Sequence, residues 1–279
     1  MAPRTRNIGE RQSVLITGAS SGIGAALARA CAGPGATLHL SGRHADRLDG
    51  VAAECRGRGA TAHTAALDVR DADAVARWIG SAGQLDVVIA NAGIGAGVDA
   101  RGPEEAAQVR AILATNLDGA LNVVLPALAA MQSQPLGADG RRGRIAAVAS
   151  IAAFIPSPGA PAYCASKAAL DSFMVATAAS ARRVGVALTS VCPGFIRTPM
   201  TVANAFPMPG LMDADRAAGI ILRGIAAGRM RIAFPWWMAA GVRATALLPA
   251  SVVTALLSRA GGKAPLPPTD GTAMSATHD

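Results

Sequence analysis

Short apolar runs alternate with longer amphipathic stretches along most of this chain. Ser13–Thr17, Thr37–Ser41, Thr61–Leu67 and Leu85–Ala90 read as strands, with helices over Ile23–Cys31, Ala45–Arg56 and Ala72–Ser81 between and after them. A long helical pattern then runs from Pro103 to Met131. Beyond a polar, arginine-containing loop (Gly137–Gly143) come a strand over Arg144–Ala149, an Ala-rich helix carrying Tyr163 and Lys167, and a strand over Val186–Cys192. A helix over Asp213–Ala227 and a last strand over Arg229–Phe234 complete the alternation. Repeated strand–helix units of this size predict a single α/β domain over residues 13–234, a doubly wound parallel sheet with helices on both faces. Such sheets bind ligands at the carboxyl ends of their strands. That rule puts Gly18–Gly24, Arg43, Asp68-Val69, Asn91-Ala92-Gly93, Ser150 and the turn Pro193-Gly194 on one rim.

Two stretches on that rim carry chemistry. Thr17-Gly18-Ala19-Ser20-Ser21-Gly22-Ile23-Gly24 joins a strand to a helix. Its glycines let the backbone turn sharply and approach a ligand closely, and the helix that follows offers N–H groups and partial positive charge to a pyrophosphate. A glycine turn with no ligand is the plainer alternative, and alone the motif is weak. Tyr163 and Lys167 stand four apart, so a helix brings the phenol and the ammonium onto one face. A phenol in water titrates near ~10, and a neighbouring cation favours the phenolate, which suits Tyr163 to proton transfer. The plainer alternative is a surface lysine beside a half-buried tyrosine. Composition weighs against it: Tyr163 is the only tyrosine, and Lys167 is one of two lysines (with Lys263) among 26 basic residues that are otherwise arginine. A compact ammonium reaches sugar hydroxyls as well as a phenol, which a planar guanidinium does less well.

Half of the 279 residues are apolar but only 3% are aromatic, so the core is built from Ala, Val, Leu and Ile. The net charge of +8 raises the question of nucleic acid, yet the arginines are scattered singly or in pairs such as Arg141-Arg142, without interleaved aromatics, and nucleic-acid binding is not expected. Cys31, Cys55, Cys164 and Cys192 show no paired spacing and the histidines are isolated, so neither a disulfide framework nor a metal site is indicated. Cys164, next to Tyr163, has no histidine partner in sequence reach and reads as a packing residue. The lead over residues 1–12 is charged and lacks an apolar core, which predicts no secretory signal and a cytoplasmic protein.

Residues 195–212, rich in Pro and Met, read as a loop that either covers a ligand or merely connects. Residues 235–260 form an apolar extension. Arg243 and Pro249 interrupt it, so it predicts two short amphipathic helices rather than a membrane span. Their apolar faces need cover from the domain's own rim, a second subunit or a lipid surface. The Pro, Thr, Gly and Ser tail of 261–279 is expected to be disordered.

With these pieces placed, the chain resembles the short-chain dehydrogenase/reductase family in its single-domain, Rossmann-like form, from about Ser13 to Phe234. Thr17-Gly18-x-x-x-Gly22-Ile23-Gly24 looks like that family's cofactor loop, with Ser20 and Ser21 inside it, Asp68-Val69 like its adenine contact, and Asn91-Ala92-Gly93 like its sheet-stabilising motif. Asn116, Ser150, Tyr163 and Lys167 look like its catalytic tetrad, and Pro193-Gly194, with Ile196 and Thr198 beyond, like the segment beside the nicotinamide. The resemblance implies hydride transfer between a nicotinamide and a carbonyl or alcohol carbon. In it Ser150 polarises the substrate oxygen, Tyr163 gives or takes the proton, Lys167 holds the ribose, and Asn116 holds a water that links Lys167 to solvent. Gly42 stands where an NAD-binding member usually carries an acid, and Arg43 follows, which predicts NADP(H) in preference to NAD(H). The substrate is expected to be a small, lipophilic carbonyl or alcohol and the assembly a homodimer, with peripheral contact at a membrane left open. The long C-terminal extension departs from the fatty-acid-synthesis reductases of the family, which end soon after a Gly-rich last strand. Two rivals remain: a non-catalytic nucleotide-binding regulator on the same fold, which has no need of a complete proton relay, and a methyltransferase, which leaves Ser150, Tyr163 and Lys167 unexplained.

Overall fold

Strands buried on both faces have no polar side to turn toward water, so they pair side by side in the middle of the domain. The computed structural model describes residues 8, 12–98, 102–202, 204, 206–258 and 265–266 of the chain. Strands β1 (Ser13–Thr17), β2 (Thr37–Gly42), β3 (Thr61–Ala66), β4 (Val87–Ala90), β5 (Gly143–Val148), β6 (Val186–Pro193) and β9 (Arg231–Phe234) form one sheet in the order β3-β2-β1-β4-β5-β6-β9. Every pairing in it is parallel. Helices α1 (Gly22–Cys31), α2 (Ala45–Gly57), α3 (Ala72–Ser81), α4 (Ala106–Leu113), α5 (Gly119–Gln132), α6 (Pro161–Arg183) and α8 (Ala214–Ala226) connect the strands. The predicted Rossmann-like sheet is thus the architecture found.

The core alternates with period two through the strands. Val14 and Ile16 of β1, with Val87 and Ile89 of β4, join a cluster on the side of α1, α2 and α8. Leu15, Val88 and Ala90 point the other way, into a cluster with α3, α5 and α6. The strand order reverses between β1 and β4, and that is where a parallel sheet opens a crevice at its carboxyl edge.

Two segments differ from the sequence expectation. The long helix expected over Pro103–Met131 begins at Ala106 and is interrupted by a π-helical turn over Ala114–Asp118. Hydrophobic period cannot show such a turn, because it arises where Asn116 exchanges hydrogen bonds with the backbone of Ile94. The run 106–132 is also the one described helical stretch long and apolar enough to cross a membrane, but Ala120, Val123, Val124, Ala127 and Met131 are buried against the sheet. Residues 195–212 carry more structure than a loop: β7 (Ile196–Arg197) pairs with β8 (Met212–Asp213), and the short helix α7 (Pro199–Val202) lies between. The extension does form two helices, α9 (Trp236–Thr245) and α10 (Ala250–Leu257). Of the tail expected to be disordered, only residues 265–266 are among those described. There the N–H of Leu266 donates to Gln108 Oε1 at 2.7 Å, and the side chain packs beside Ala96, Ile112 and Ala162.

The edge of the sheet is held by a buried carboxylate. Asp171 of α6 accepts from Ser190 Oγ at 2.6 Å on β6, and from Arg231 Nε and Nη2 at 2.9 and 2.6 Å on β9. Burial pushes the Asp171 carboxyl up, but the hydrogen bonds from Arg231 and Ser190 and the Arg231 charge outweigh it, and the net shift is downward. Arg231→Ala strands the carboxylate, with an expected loss near the low end of ~3–5 kcal/mol, because a third of the Arg231 side chain is exposed. A lowered folded-state pKa contributes stability that is complete above the ordinary aspartate range and lost as pH falls through the lowered value. Denaturation curves of wild type and Arg231→Ala are therefore expected to differ most near neutrality and to converge in acid.

Candidate active site

The glycine loop after β1 is built by close approach. Gly18 and Gly22 have φ of +65° and +55°, which side chains other than glycine rarely adopt. A Cβ at Gly24 would lie 2.2 Å from the Gly18 carbonyl oxygen and 2.6 Å from Asn91 Nδ2, so the first turn of α1 sits directly against the loop. Asn91, at the end of β4, donates through Nδ2 to the carbonyls of Thr17 and Gly18 at 3.0 and 3.2 Å. Thr17 Oγ1 accepts in return from the N–H groups of Asn91 and Ala92 at 3.0 and 3.2 Å. The two strand ends at the switch point are thereby fastened together. Ser21 precedes α1 without a side-chain cap, which leaves the helix's first N–H groups to a ligand.

Across the rim, Ser150 ends the β5 segment and its Oγ accepts from Ala152 N–H at 3.1 Å, starting a 3-10 turn over Ile151–Phe154. Pro161 opens α6 at a position where its missing N–H costs nothing. Two turns of that helix carry Tyr163 and Lys167. Lys167 is 5% exposed, and its ammonium donates to the Val148 carbonyl at 2.8 Å and lies 5.8 Å from the centroid of the Tyr163 ring. Asn116 is fully buried: its Nδ2 donates to the Ile94 carbonyl at 2.9 Å and its Oδ1 accepts from the Ile94 N–H at 2.8 Å. A Cβ at Gly93 would lie 3.1 Å from Asn116 Oδ1 and 3.5 Å from Lys167 Nζ, so the turn after β4 runs between those two side chains.

These parts face one cavity of about 690 Å³. Gly18, Ser20, Ser21, Gly22, Ile23, Arg43, Asp68, Val69, Asn91, Ala92 and Gly93 line it, and so do Ser150, Tyr163, Lys167, Pro193, Gly194, Ile196 and Thr198. Of the residues singled out from sequence, Gly24 and Asn116 alone stand behind the wall, Gly24 beneath the loop and Asn116 turned onto Ile94. Arg43, His44 and Arg47 form a basic end to the cavity. Asp68 nearby is held as a carboxylate by Arg70, whose Nη2 is 2.6 Å away and whose hydrogen bonds lower its pKa. The opposite end is apolar, with Phe195, Met200, Phe206, Met238 and Val242 in its wall and Leu257 of α10 reaching it. The loop and the extension meet there: a Cβ at Gly194 would lie 3.0 Å from Met238 Sδ, and one at Gly210 2.8 Å from the Trp237 ring.

Sequence reasoning missed His44, Arg47, Ile94, Met238, Val242 and Leu257. Arg47 had a signal, since it stands four residues after Arg43. The α9 and α10 residues had none, because nothing local says which face of an apolar helix meets a cavity.

The residues fit a dinucleotide. The Ser41 hydroxyl, which lines the cavity, is buried with no hydrogen-bond partner among the described residues, and the loop brings backbone where any Cβ would intrude. Residues 12–206 match the family model described as short chain dehydrogenase. The chain belongs to the short-chain dehydrogenase/reductase family. It is an oxidoreductase of the kind that uses a nicotinamide dinucleotide to interconvert CH–OH and C=O groups. It is 37% identical over 246 residues to an uncharacterized oxidoreductase of Myxococcus xanthus, covering 85% of this chain and 93% of that one. It is 39% identical over 211 residues to the probable oxidoreductase EphD of Mycobacterium tuberculosis, covering 74% of this chain and 34% of that longer protein. A solved short-chain type dehydrogenase/reductase from Mycobacterium marinum superposes with a TM-score of 0.70 at 29% identity, over 81% of this chain and 92% of its own.

The packing beneath the loop gives a direct test. In Gly24→Ala the added methyl has only backbone and Asn91 to displace. Overpacking of that kind costs ~1–3 kcal/mol, so dinucleotide binding is expected to weaken roughly tenfold to a hundredfold. Gly50→Ala, with nothing within 4 Å of its new Cβ, should bind as wild type. Fluorescence titration of both variants reads the difference.

Proposed function

We propose that this protein is an NADP(H)-dependent carbonyl reductase or alcohol dehydrogenase acting on an apolar substrate. The observation that carries the reading is that Ser150, Tyr163 and Lys167 line the same cavity as the glycine loop. The bound dinucleotide supplies or accepts the hydride. Ser150 donates a hydrogen bond to the substrate oxygen and stabilises the charge that develops there. Tyr163 gives that oxygen a proton in reduction and removes one in oxidation. The buried Lys167 ammonium stabilises the phenolate that remains and reaches the ribose hydroxyls. Asn116 holds the turn at Gly93-Ile94 against Lys167 and so helps to position that ammonium. The apolar wall from Phe195 to Met238 and Val242 suits a lipophilic carbonyl, with α9 and the Met- and Pro-rich segment closing over it. A homodimer in the cytoplasm belongs to the same reading, as members of the family are commonly oligomeric.

Tyr163→Phe keeps the ring and removes the transferable proton, so kcat is expected to fall by at least ~10²-fold with dinucleotide binding within a few-fold of wild type. Stopped assays with NADPH and ketones of graded lipophilicity measure the first, and fluorescence titration the second. Activity retained at a tenth of wild type would remove Tyr163 from the reaction. Dinucleotide binding by wild type without turnover on any carbonyl would favour the regulator instead.

The preference for NADP(H) rests on Gly42, which leaves no acid to repel a 2′-phosphate, and on Arg43 and Arg47 at the basic end of the cavity. Arg43→Ala is expected to raise the KM for NADPH roughly tenfold, the worth of one charge-assisted contact, and to leave the KM for NADH unchanged. An equal change for both cofactors would show that the phosphate is not read there.

A further inference from the structure

The helical pair α9 and α10 has two apolar sides. One side faces the cavity through Met238, Val242 and Leu257. The other faces solvent and carries Trp236, Leu247, Leu248, Val252 and Leu256, with Trp236 77% and Leu247 88% exposed. Leu247 and Leu248, 88% and 44% exposed, stand in the turn between the helices. Surfaces of this kind mark an interaction site when they are contiguous.

Charge decides the partner. Between Asp215 and Asp270 the chain holds no acidic residue, while it carries Arg216, Arg223, Arg229, Arg231, Arg243, Arg259 and Lys263. The stretch from Pro235 to Thr269 is therefore cationic in sequence, through Arg243, Arg259 and Lys263, while Arg231 just before it is paired with Asp171. A second copy set against this face would bring like charge onto like charge, which disfavours pairing. An acidic surface with an apolar layer beneath it satisfies both features: the Trp236 indole and the leucines enter the interface, and the basic residues of the extension favour anionic headgroups.

We infer that the outer face of α9–α10 docks this protein on an anionic lipid bilayer, with the Leu247-Leu248 turn inserted at the interface. The consequence, which rests on the oxidoreductase reading above, is that a carbonyl compound dissolved in lipid reaches the apolar end of the cavity past the inner face of the same helices.

Vesicle sedimentation of the full chain tests the docking without requiring turnover, so its failure and the failure of the redox reading are separable. With phosphatidylcholine vesicles containing phosphatidylglycerol at low salt, most of the protein is expected in the pellet. With phosphatidylcholine alone it should stay in solution, and rising salt should release it. The double variant Leu247→Ser/Leu248→Ser, and independently Trp236→Ser, should each lose at least roughly tenfold in vesicle affinity while binding NADPH as wild type does. Tryptophan emission of the wild type should shift to the blue on adding the anionic vesicles. Absence of sedimentation with anionic vesicles would overturn the inference, as would sedimentation unchanged in both variants. A wild-type dimer, seen by light scattering, that Leu247→Ser/Leu248→Ser converts to monomer would assign the face to a second copy and overturn it as well.

Discussion

The site depends on how closely two strand ends can approach at the point where the sheet changes direction. Beyond the ends of β1 and β4 the ladder stops, and the carbonyls of Thr17 and Gly18 need other donors. One carboxamide, Asn91, meets both, and the Thr17 hydroxyl answers with the N–H groups of Asn91 and Ala92. That exchange is possible only because the backbone at Gly18 and Gly24 carries no side chain. The same loop brings Gly18 and Gly22 to the wall of the cavity, so the device that closes the sheet also shapes the crevice.

Helix α6 acts as the second ruler. Tyr163, Lys167 and Asp171 follow one another at four-residue steps, so they lie along one stripe of the helix. The first lines the cavity and the second is anchored on the Val148 carbonyl of β5. The third binds β6 and β9 through Ser190 and Arg231. Because a buried carboxylate and a buried ammonium tolerate little displacement without losing their partners, the helix is fixed along its length relative to the strand that carries Ser150. Phe154, in the turn after Ser150, has the guanidinium of Arg231 5.5 Å and that of Arg243 4.2 Å from its ring centroid, which ties α9 to the same frame.

The fold was legible because its signals are local. Strand, helix and glycine punctuation repeat along the chain, and doubly buried strands leave uninterrupted apolar runs such as Val87–Ala90. The site was legible for a related reason. In a parallel sheet every strand ends at the same edge, so residues at strand ends converge wherever they stand in sequence. Ser150 and Gly18 are far apart in the chain and line one cavity. The π turn at Asn116 was not legible, since the hydrogen bonds its side chain makes there go to Ile94, 22 residues away.

By itself, then, the sequence determined the sheet, the glycine loop, the Tyr163–Lys167 pair and the membership of one family, all of which follow from period, spacing and residue type. Tertiary structure decided what spacing does not encode. It brought Arg47 to the basic end beside Arg43, and it turned Asn116 away from the cavity onto a backbone turn. It also divided the apolar extension into a face toward the cavity and a face toward solvent. An apolar helix records that it must be covered, but the direction of the cover is set by the neighbours it docks on, here Gly194 against Met238 and Gly210 against Trp237.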